Sequence, residues 1–339
     1  MVPRRRFDSG LVTRKIKEEG KDGVLIVTRR SPVSGVCPVL ETPFTDDEEV
    51  DYTSFGNLID HLVSAGVRSV MYPGFASEYH KLSDFERTSL TTFLLDRVKE
   101  LQGFTTVISV PDHATHLAVR RAVEAVEAGA SAINVLPPHQ LAPSGEAIRD
   151  HVRAVASAIA PVPVILQYAP AQTGTDLDAA AIARIARDLH NLVQVKVESA
   201  PPGALITALA AQNPALGSVV GYAGVQLIDA MRRGAVGVQP GSSFVEIYLD
   251  IWSAWQDGRQ SEAIDIHRRL LPYISYWMQS VELIIAAEKR VSRRRGLIDT
   301  DRCRAPERRL DTEEDAMIER FLSEFEQQFS PIDKRGIRP

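Results

Sequence analysis

Short apolar runs along the chain alternate with longer stretches that have the three-to-four-residue apolar spacing of an amphipathic helix. Turn residues support this division, because Gly66 and Gly129 follow two of the helical stretches and Ser83 and Ser144 precede two others. The predicted strands are 36–40, 69–72, 106–110, 132–136, 163–167, 193–197, 218–220 and 236–238. The predicted helices between them are 52–65, 83–101, 114–128, 144–158, 178–189, 204–212, 225–233 and 244–256.

Strands that alternate with helices in this way predict a parallel sheet, and eight such units predict an α/β fold of the (β/α)8 TIM barrel class. An open doubly wound sheet is the alternative, but the early glycine-rich loop that often accompanies it is absent. Three further helical patterns follow at 261–277, 281–295 and 312–327. We therefore divide the chain into an N-terminal extension (1–33), the barrel (34–258) and a C-terminal helical extension (259–339) that packs on the barrel.

Charge and composition exclude several classes of protein. The 339 residues carry a formal net charge of -5, so no general attraction to nucleic acid or to an anionic membrane is expected. No apolar run is long enough to cross a bilayer, and the two cysteines, Cys37 and Cys303, are far apart in the chain. We expect a soluble cytoplasmic protein without a disulfide framework or a zinc site. The basic residues before position 33 indicate a loosely held leader, or alternatively a nucleic-acid-binding arm.

The predicted strand 193–197 contains the most informative side chain. Apolar and polar residues alternate strictly from Leu192 to Glu198, so that Gln194, Lys196 and Glu198 share one face. In a closed barrel the other face meets the helices, and the polar face must point into the lumen. Lys196 then lies near the carboxyl end of its strand, where the active sites of such barrels are found.

Two interpretations of Lys196 follow from this position. Removal of an amine from water favours its neutral form, which can attack a carbonyl carbon and form a Schiff base. Alternatively, the lysine is structural and forms an ion pair with Glu198 or with another acidic residue of the lumen. The strand pattern alone leaves both interpretations open.

Several motifs, taken in order, resemble one family of enzymes. These are Gly74-Phe75-Ala76-Ser77-Glu78 after the second strand, Gln167-Tyr168-Ala169-Pro170 with Thr173-Gly174 after the fifth, Lys196 on the sixth, and Gly234 to Val238. Together with the barrel and its helical tail, they resemble the dihydrodipicolinate synthase and N-acetylneuraminate lyase family of class I aldolases. The resemblance implies a Schiff base between Lys196 and pyruvate or another 2-oxo acid. It also implies that no metal or organic cofactor is used, and that the protein is a homo-oligomer, a dimer or a tetramer.

The loop after the second strand departs from the family pattern, which has two threonines where this chain has Phe75 and Ala76. In the family this loop holds the substrate carboxylate. Ser77 retains a hydroxyl, and the backbone N–H groups from Gly74 to Ser77 remain, so we expect an anion site at this turn. Glu78 matches the family glutamate, and we expect it to hold the loop. The resemblance also places Val238 and His139 beside the substrate.

The fifth strand departs further, because Gln167 stands where the family has a tyrosine that transfers protons. Tyr168 follows it, and a shift of one residue along a strand reverses the face. Either a bulge turns Tyr168 inward, or Gln167 occupies the site and another group moves the proton; packing between strand and helix is a third role for Tyr168. His139 is a candidate acid or base or a plain surface group. Glu198 is the preferred replacement base, though it could also hold Lys196 or repel a second substrate carboxylate.

Gln172 replaces an arginine that binds the second substrate's carboxylate in the lysine-pathway enzymes, which argues against that reaction here. The sequence therefore predicts a class I lyase of 2-oxo acids in which Lys196 is the nucleophile. Aldol cleavage or condensation and dehydration of a 3-deoxy-2-oxo sugar acid both fit. A catalytically weak paralogue that binds a 2-oxo acid as a sensor is the alternative from another class.

Overall fold

All eight predicted strands are present, and they form one parallel sheet. The computed structural model describes residues 31–175 and 177–331. The strands are β1 (Gly35–Val36), β2 (Ser69–Tyr72), β3 (Thr105–Val110), β4 (Ala132–Val135), β5 (Val164–Tyr168), β6 (Leu192–Val197), β7 (Gly217–Val220) and β8 (Gly237–Val238). Their hydrogen-bonded order is β1-β8-β7-β6-β5-β4-β3-β2, so each strand lies beside its neighbours in sequence and β1 pairs with β8.

The two remaining edges, of β1 and β2, meet through the residues that follow β1. The N–H of Met71 donates to the carbonyl of Pro38 (2.9 Å), and the N–H of Leu40 donates to the carbonyl of Met71 (3.0 Å). Because every strand thus has a neighbour on each side, the sheet closes on itself. The predicted (β/α)8 TIM barrel is confirmed, and the open-sheet alternative is wrong.

The helices lie between the strands and after the last of them. They are α1 (Tyr52–Ser64), α2 (Asp84–Val98), α3 (Thr115–Glu127), α4 (Gly145–Ala158), α5 (Pro170–Thr173), α6 (Ala179–Asp188), α7 (Gly203–Gln212), α8 (Leu227–Arg232), α9 (Val245–Gln256), α10 (Gln260–Trp277), α11 (Val281–Arg295) and α12 (Thr312–Glu324). Ser83 and Glu86 form the expected capping box at the start of α2. Apolar periodicity did not predict the one-turn helix α5. No helix in 31–175 or 177–331 combines the length and apolar content needed to cross a membrane.

Strand alternation divides the buried side chains into two groups. The larger group fills the space between the sheet and the surrounding helices. A smaller group fills the lumen: Val33, Cys37, Val39, Met71, Val107, Ala132, Ile165 and Val219. The lumen is therefore a packed core at its amino end, and polar residues occupy its carboxyl end.

The floor of the barrel includes a residue that the sequence placed in the leader. Val33 is fully buried in the lumen. The side-chain amide of Gln194 donates to the Val33 carbonyl (2.7 Å), and the N–H of Val33 donates back to the amide oxygen (3.1 Å). The boundary of the N-terminal extension at residue 33 is thus too late, because a lumen-facing polar side chain fixes Val33. The rest of the predicted leader, residues 1–30, lies outside the described residues.

Helices α10 to α12 pack against the barrel, and aromatic side chains form their interface with α9. The rings in mutual contact are Phe244, Tyr273, Trp277, Phe321, Phe325 and Phe329. Phe321 is fully buried and touches the other five. Such pairs add directional contacts to the burial of apolar area, so Phe321 joins α12 firmly to the remainder of the protein.

A polar contact holds the loop after β2 against the same extension. Glu78 is fully buried, and its carboxylate accepts hydrogen bonds from the ammonium of Lys289 on α11 (2.5 Å), from Lys81 (3.1 Å) and from the N–H of Arg304 (3.1 Å). Opposite charges within hydrogen-bond distance compensate for the loss of water around each of them. Glu78 therefore connects the carboxyl end of β2 to the C-terminal helices.

A second buried glutamate lies nearby. Glu41 accepts a hydrogen bond from the hydroxyl of Ser292 on α11, and its other oxygen has no partner among the described residues. Burial raises the pKa of Glu41 from 4.5 to about 7, and the hydrogen bond from Ser292 opposes this shift. The carboxyl group is therefore largely protonated in the folded protein below neutral pH.

We predict that Phe321→Ala lowers the free energy of unfolding by about 3–5 kcal/mol, because it leaves a cavity among five aromatic rings. Urea denaturation followed by circular dichroism measures the loss. Phe85→Ala is the matched control, since Phe85 is 78% exposed and its removal is expected to change stability by less than about 0.5 kcal/mol. Equal losses in the two variants would contradict the packing described for α12.

We predict that Glu41→Gln flattens the dependence of stability on pH. In the wild type the unfolded carboxyl ionises near 4.5 while the folded one keeps its proton to about 7, so this group's contribution decreases as pH rises through that window. The decrease is at most about 3 kcal/mol. Urea titrations at the two ends of the window measure it, with the exposed Glu127→Gln as control. An unchanged slope in Glu41→Gln would contradict the raised pKa.

Candidate active site

Lys196 lies inside the barrel, near the carboxyl end of β6. Its side chain shares the lumen face with Gln194, as the strand alternation predicts, and only 4% of the residue is exposed. In the parallel register its neighbours are Gln167 on β5 and Val219 on β7. The amine therefore stands at the boundary between the apolar lumen and the polar mouth.

Glu198 follows two residues later and faces the same way. One carboxylate oxygen, Oε1, lies 3.3 Å from Nζ of Lys196, and the residue is 8% exposed. The carboxylate packs against Gly221 after β7, where an added Cβ would lie 2.3 Å from Oε1. The expected ion pair between lysine and glutamate is present, and the absence of a side chain at position 221 makes room for it.

A chain of hydrogen bonds fixes the orientation of Glu198. The amide of Gln167 donates to Oε2 of Glu198 (2.7 Å), and the amide of Asn134 donates both to the Gln167 oxygen (2.8 Å) and to the hydroxyl of Ser109 (2.9 Å). These side chains come from β3, β4 and β5 and all are buried. Neither Asn134 nor Ser109 was predicted as a site residue, although each lies inside a predicted strand and strand alternation would have placed it in the lumen.

Tyr168 does not enter this chain, so the bulge that would turn it inward is not formed. Gln167 occupies the lumen position opposite Lys196, and Tyr168 therefore points to the other face of β5. Its ring packs in the core between sheet and helices, and its hydroxyl accepts a hydrogen bond from the N–H of Leu177 (3.4 Å). The phenol is separated from Lys196 by the wall of the barrel.

On β8 the structure differs from the expectation that Val238 lies beside the substrate. The side chain of Val238 belongs to the core between sheet and helices, close to Gly224. Gln239, the next residue, is buried and lines the pocket that contains Lys196. Val238, expected beside the substrate, therefore faces away from the pocket, and its polar neighbour Gln239 faces the lumen.

The turn after β2 reaches the pocket through Phe75 and Ala76. They begin a one-turn 3₁₀ helix, Phe75–Ser77, so their N–H groups have no acceptor within it. The hydroxyl of Ser77 instead points into the protein, where it accepts from the N–H of Gly74 (2.9 Å) and donates to the carbonyl of Leu40. Gly74 itself lacks room for a side chain, because a Cβ would lie 2.7 Å from Val39.

His139 lies in the loop after β4, outside the pocket around Lys196. Its ring is 4.4 Å from that of His113, centroid to centroid, and its N–H donates to Nδ1 of His113 (3.2 Å). Burial and the neighbouring imidazole lower the pKa of His113. The two histidines form a pair of their own at the mouth of the barrel.

The pocket above Lys196 is also lined by polar side chains that were not predicted as site residues. The hydroxyl of Tyr222, after β7, donates to the side chain of Gln172 after β5 (2.8 Å), and both residues line the pocket. Burial raises the pKa of the Tyr222 phenol, and the charge of Glu198 adds to that shift. The rule that barrel sites lie at the carboxyl ends of strands would have selected Tyr222.

Glu288 on α11 forms the far wall of the pocket. It accepts a hydrogen bond from the N–H of Ser243 (3.2 Å), and burial raises its pKa to about 8. Nothing in its helical pattern distinguishes this residue from others on α11, so only the packing of α11 on the barrel reveals it. Among the described residues, no three histidine, cysteine, aspartate or glutamate side chains converge on a point where a metal ion could bind.

The arrangement provides the two functions that imine chemistry requires. A buried primary amine is a nucleophile for a carbonyl carbon once it has lost its proton, and a carboxylate within hydrogen-bond reach accepts that proton. Gln167 keeps the carboxylate in place from the opposite side. The pocket above the amine is open to a small carbonyl compound from the carboxyl end of the barrel.

A known protein family and several known proteins match most of this chain. The model of the dihydrodipicolinate synthetase family matches residues 32–325. L-2-keto-3-deoxyarabonate dehydratase of Azospirillum brasilense is 30% identical over 281 residues, which are 80% of this chain and 88% of that protein. The 4-hydroxy-tetrahydrodipicolinate synthase of Bacillus subtilis is 29% identical over 243 residues, 70% and 81% of the two chains.

The fold is shared with solved structures over almost their whole length. Dihydrodipicolinate synthase from Rhodopseudomonas palustris superimposes with a TM-score of 0.80 at 26% identity, covering 86% of this chain and 97% of that one. The family match spans the barrel and the C-terminal helices alike. The chain belongs to the dihydrodipicolinate synthetase family.

Proposed function

We propose that the protein is a Schiff-base lyase of 2-oxo acids in which Lys196 is the nucleophile. The observation that carries this proposal is the buried amine of Lys196 at the carboxyl end of the lumen, with a carboxylate oxygen of Glu198 3.3 Å away. The family and its lyase relatives support the same assignment.

The reaction begins with transfer of a proton from the Lys196 ammonium to Glu198. The neutral amine attacks C2 of the 2-oxo acid and gives a carbinolamine. Glu198 returns its proton to the carbinolamine hydroxyl, which leaves as water; this gives a protonated imine between Nζ and C2 and makes Glu198 a carboxylate again. We assign the substrate carboxylate to the N–H groups of Phe75 and Ala76, because both residues line the pocket and their N–H groups have no acceptor in their own helix. This contact would orient C2 over Lys196.

Glu198 is the base for the next step. C3 of the imine is two bonds from Nζ, so a carboxylate 3.3 Å from Nζ can reach a proton on C3. Removal of that proton gives an enamine. Gln167 acts as a positioning residue, because its amide holds Oε2 of Glu198 and leaves Oε1 beside the lysine. Tyr168 takes no part, since its phenol lies outside the barrel wall.

Two reaction types continue from these intermediates, and we favour dehydration of a 3-deoxy-2-oxo sugar acid. The enamine expels the C4 hydroxyl, which takes up one proton and leaves as water, and hydrolysis then releases the product from Lys196. The base that dehydration requires is at C3, where Glu198 lies, whereas aldol cleavage requires one at the more distant C4 hydroxyl. The dehydratase of Azospirillum brasilense supports this choice.

The expected homo-oligomer and cytoplasmic location stay predictions.

The lysine-pathway reaction receives no support from the pocket. Gln172 stands where that reaction needs an arginine, and its side chain is hydrogen-bonded to Tyr222. Among the described residues that line the pocket, Lys196 is the single cation. A second substrate carboxylate would therefore find no partner there.

We predict that pyruvate and borohydride together leave a stable adduct on Lys196, which peptide mass spectrometry locates. Lys196→Gln should abolish the adduct, because no other amine lies in the pocket lining among the described residues. Lys99→Gln, a change of an exposed lysine, is the control that keeps it. An adduct on another lysine, or none with pyruvate and longer 2-oxo acids, would contradict the proposal. An adduct without turnover of any sugar acid would favour the sensor.

We predict that Glu198→Gln slows exchange of the pyruvate methyl hydrogens with deuterated water by about 10²-fold or more, because that exchange requires removal of a C3 proton. Proton NMR measures the exchange. Gly221→Ala tests Glu198 without replacing it, because the added Cβ would displace the Glu198 carboxylate. Gly145→Ala is its control, because a Cβ there makes only an ordinary contact, 3.5 Å from Leu177. Unchanged exchange in Glu198→Gln would remove Glu198 as the base.

A further inference from the structure

Two buried oxygen atoms in the pocket have no hydrogen-bond partner among the described residues. They are Oε1 of Gln239 after β8 and Oε1 of Glu288 on α11. Both residues line the pocket that contains Lys196. Buried acceptors are nearly always paired in folded proteins, so two unpaired ones in one pocket indicate groups that a ligand completes.

The rest of each side chain is held in place. The amide nitrogen of Gln239 is directed to Sγ of Cys37 (3.5 Å), and Oε2 of Glu288 accepts from the N–H of Ser243 (3.2 Å). Gly241 lies against the Glu288 carboxyl group, where a Cβ would be 2.2 Å from Oε1. The two free acceptors are therefore fixed by the loop after β8 and by α11.

The charges of the pocket determine which ligand group these acceptors suit. The described lining contains Lys196 as its cation and two acidic side chains, Glu198 and Glu288. Once Lys196 has formed the imine, the described lining offers no other cation to a second substrate carboxylate, and Glu198 repels it. A neutral group that donates a hydrogen bond fits, and a hydroxyl is such a group.

We propose that Gln239 and Glu288 form a hydroxyl-binding subsite that selects 2-oxo acids with hydroxyl groups beyond C3. The hydroxyl hydrogens donate to Oε1 of each residue while C2 is bound at Lys196. The subsite rests on the proposed function, because it assumes that the 2-oxo group is attached there. It gives the pocket a preference for a polyhydroxylated chain with one carboxylate over pyruvate or a dicarboxylate.

Burial supports a second role for the same carboxyl group. Because the pKa of Glu288 is raised to about 8, the group carries its proton at neutral pH. A protonated carboxyl donates one hydrogen bond and accepts others, so it can contact a hydroxyl group in either direction. Loss of that proton as pH rises through 8 removes the donor and leaves an acceptor, so a hydroxyl group can then bind to Glu288 only by donating. Other titratable groups surround Glu288: Lys196, Glu198 and Tyr222 in the pocket lining, Glu41 on the barrel and Lys289 on α11.

The test compares two substrates in the same variants. For each protein we would measure kcat/KM for a series of 3-deoxy-2-oxo pentonates and hexonates, and the rate of hydrogen exchange in pyruvate, which has no hydroxyl groups. Gln239→Met and Glu288→Leu remove one acceptor each. We expect the ratio of sugar-acid kcat/KM to pyruvate exchange to fall at least tenfold in both, mainly through KM.

Glu319→Gln is the matched control, because Glu319 also belongs to the C-terminal extension but is half exposed and pairs with Arg294 (3.0 Å). Its ratio should equal that of the wild type. A merely structural role for Gln239 and Glu288 would lower both rates by the same factor and leave the ratio unchanged, which would overturn the subsite. Wild-type protein that exchanges pyruvate hydrogens but turns over no hydroxylated acid would overturn it as well.

Failure of the proposed function gives a different result. In that case the wild-type protein neither exchanges the hydrogens of pyruvate nor forms an adduct with it on Lys196. Pyruvate has no hydroxyl groups and does not use the subsite, so this result concerns the proposed function alone. An unchanged ratio with active pyruvate exchange, in contrast, rejects the subsite alone. Retention of the wild-type thermal transition in Gln239→Met shows that a lowered ratio is not caused by unfolding.

Discussion

In a closed parallel barrel each strand residue faces either the lumen or the surrounding helices, and a shift of one position exchanges the two environments. This alternation determines which side chains of the protein can meet a substrate. It brings Lys196 and Gln167 together across β5 and β6 and sends Tyr168 into the outer core. The Tyr168 hydroxyl is only one residue along β5 from Gln167, yet the barrel wall separates it from Lys196.

A series of hydrogen bonds connects side chains at the polar end of the lumen. Ser109, Asn134, Gln167 and Glu198 form a continuous series of hydrogen bonds that ends at Lys196. A buried polar group without a partner costs about 1–3 kcal/mol, so each link protects the next one. The same series fixes the orientation of Glu198 beside Lys196, so the geometry of this pair and the stability of the lumen depend on the same contacts.

Strand periodicity was sufficient to predict the barrel, its eight units and the inward direction of Lys196 and Glu198, because those features depend on local alternation. It left open whether Gln167 or Tyr168 faces the lumen. It was insufficient where several elements meet. The Ser77 hydroxyl is occupied by the Leu40 carbonyl, a contact between distant turns. Glu288 reaches the pocket from a helix whose own pattern resembles any amphipathic helix, and only the docking of α11 reveals it. On β8 the lumen-facing side chain is Gln239 and not Val238, which lies one residue earlier and faces the helices.

Helix α11 supplies Glu288 to the pocket, while its Lys289 binds the Glu78 carboxylate that anchors the loop after β2. The same helix thus forms one wall of the pocket and holds the loop that forms another. A substitution that shifts α11 on the barrel would therefore move both walls at once, although α11 itself lies outside the eight strand-and-helix units.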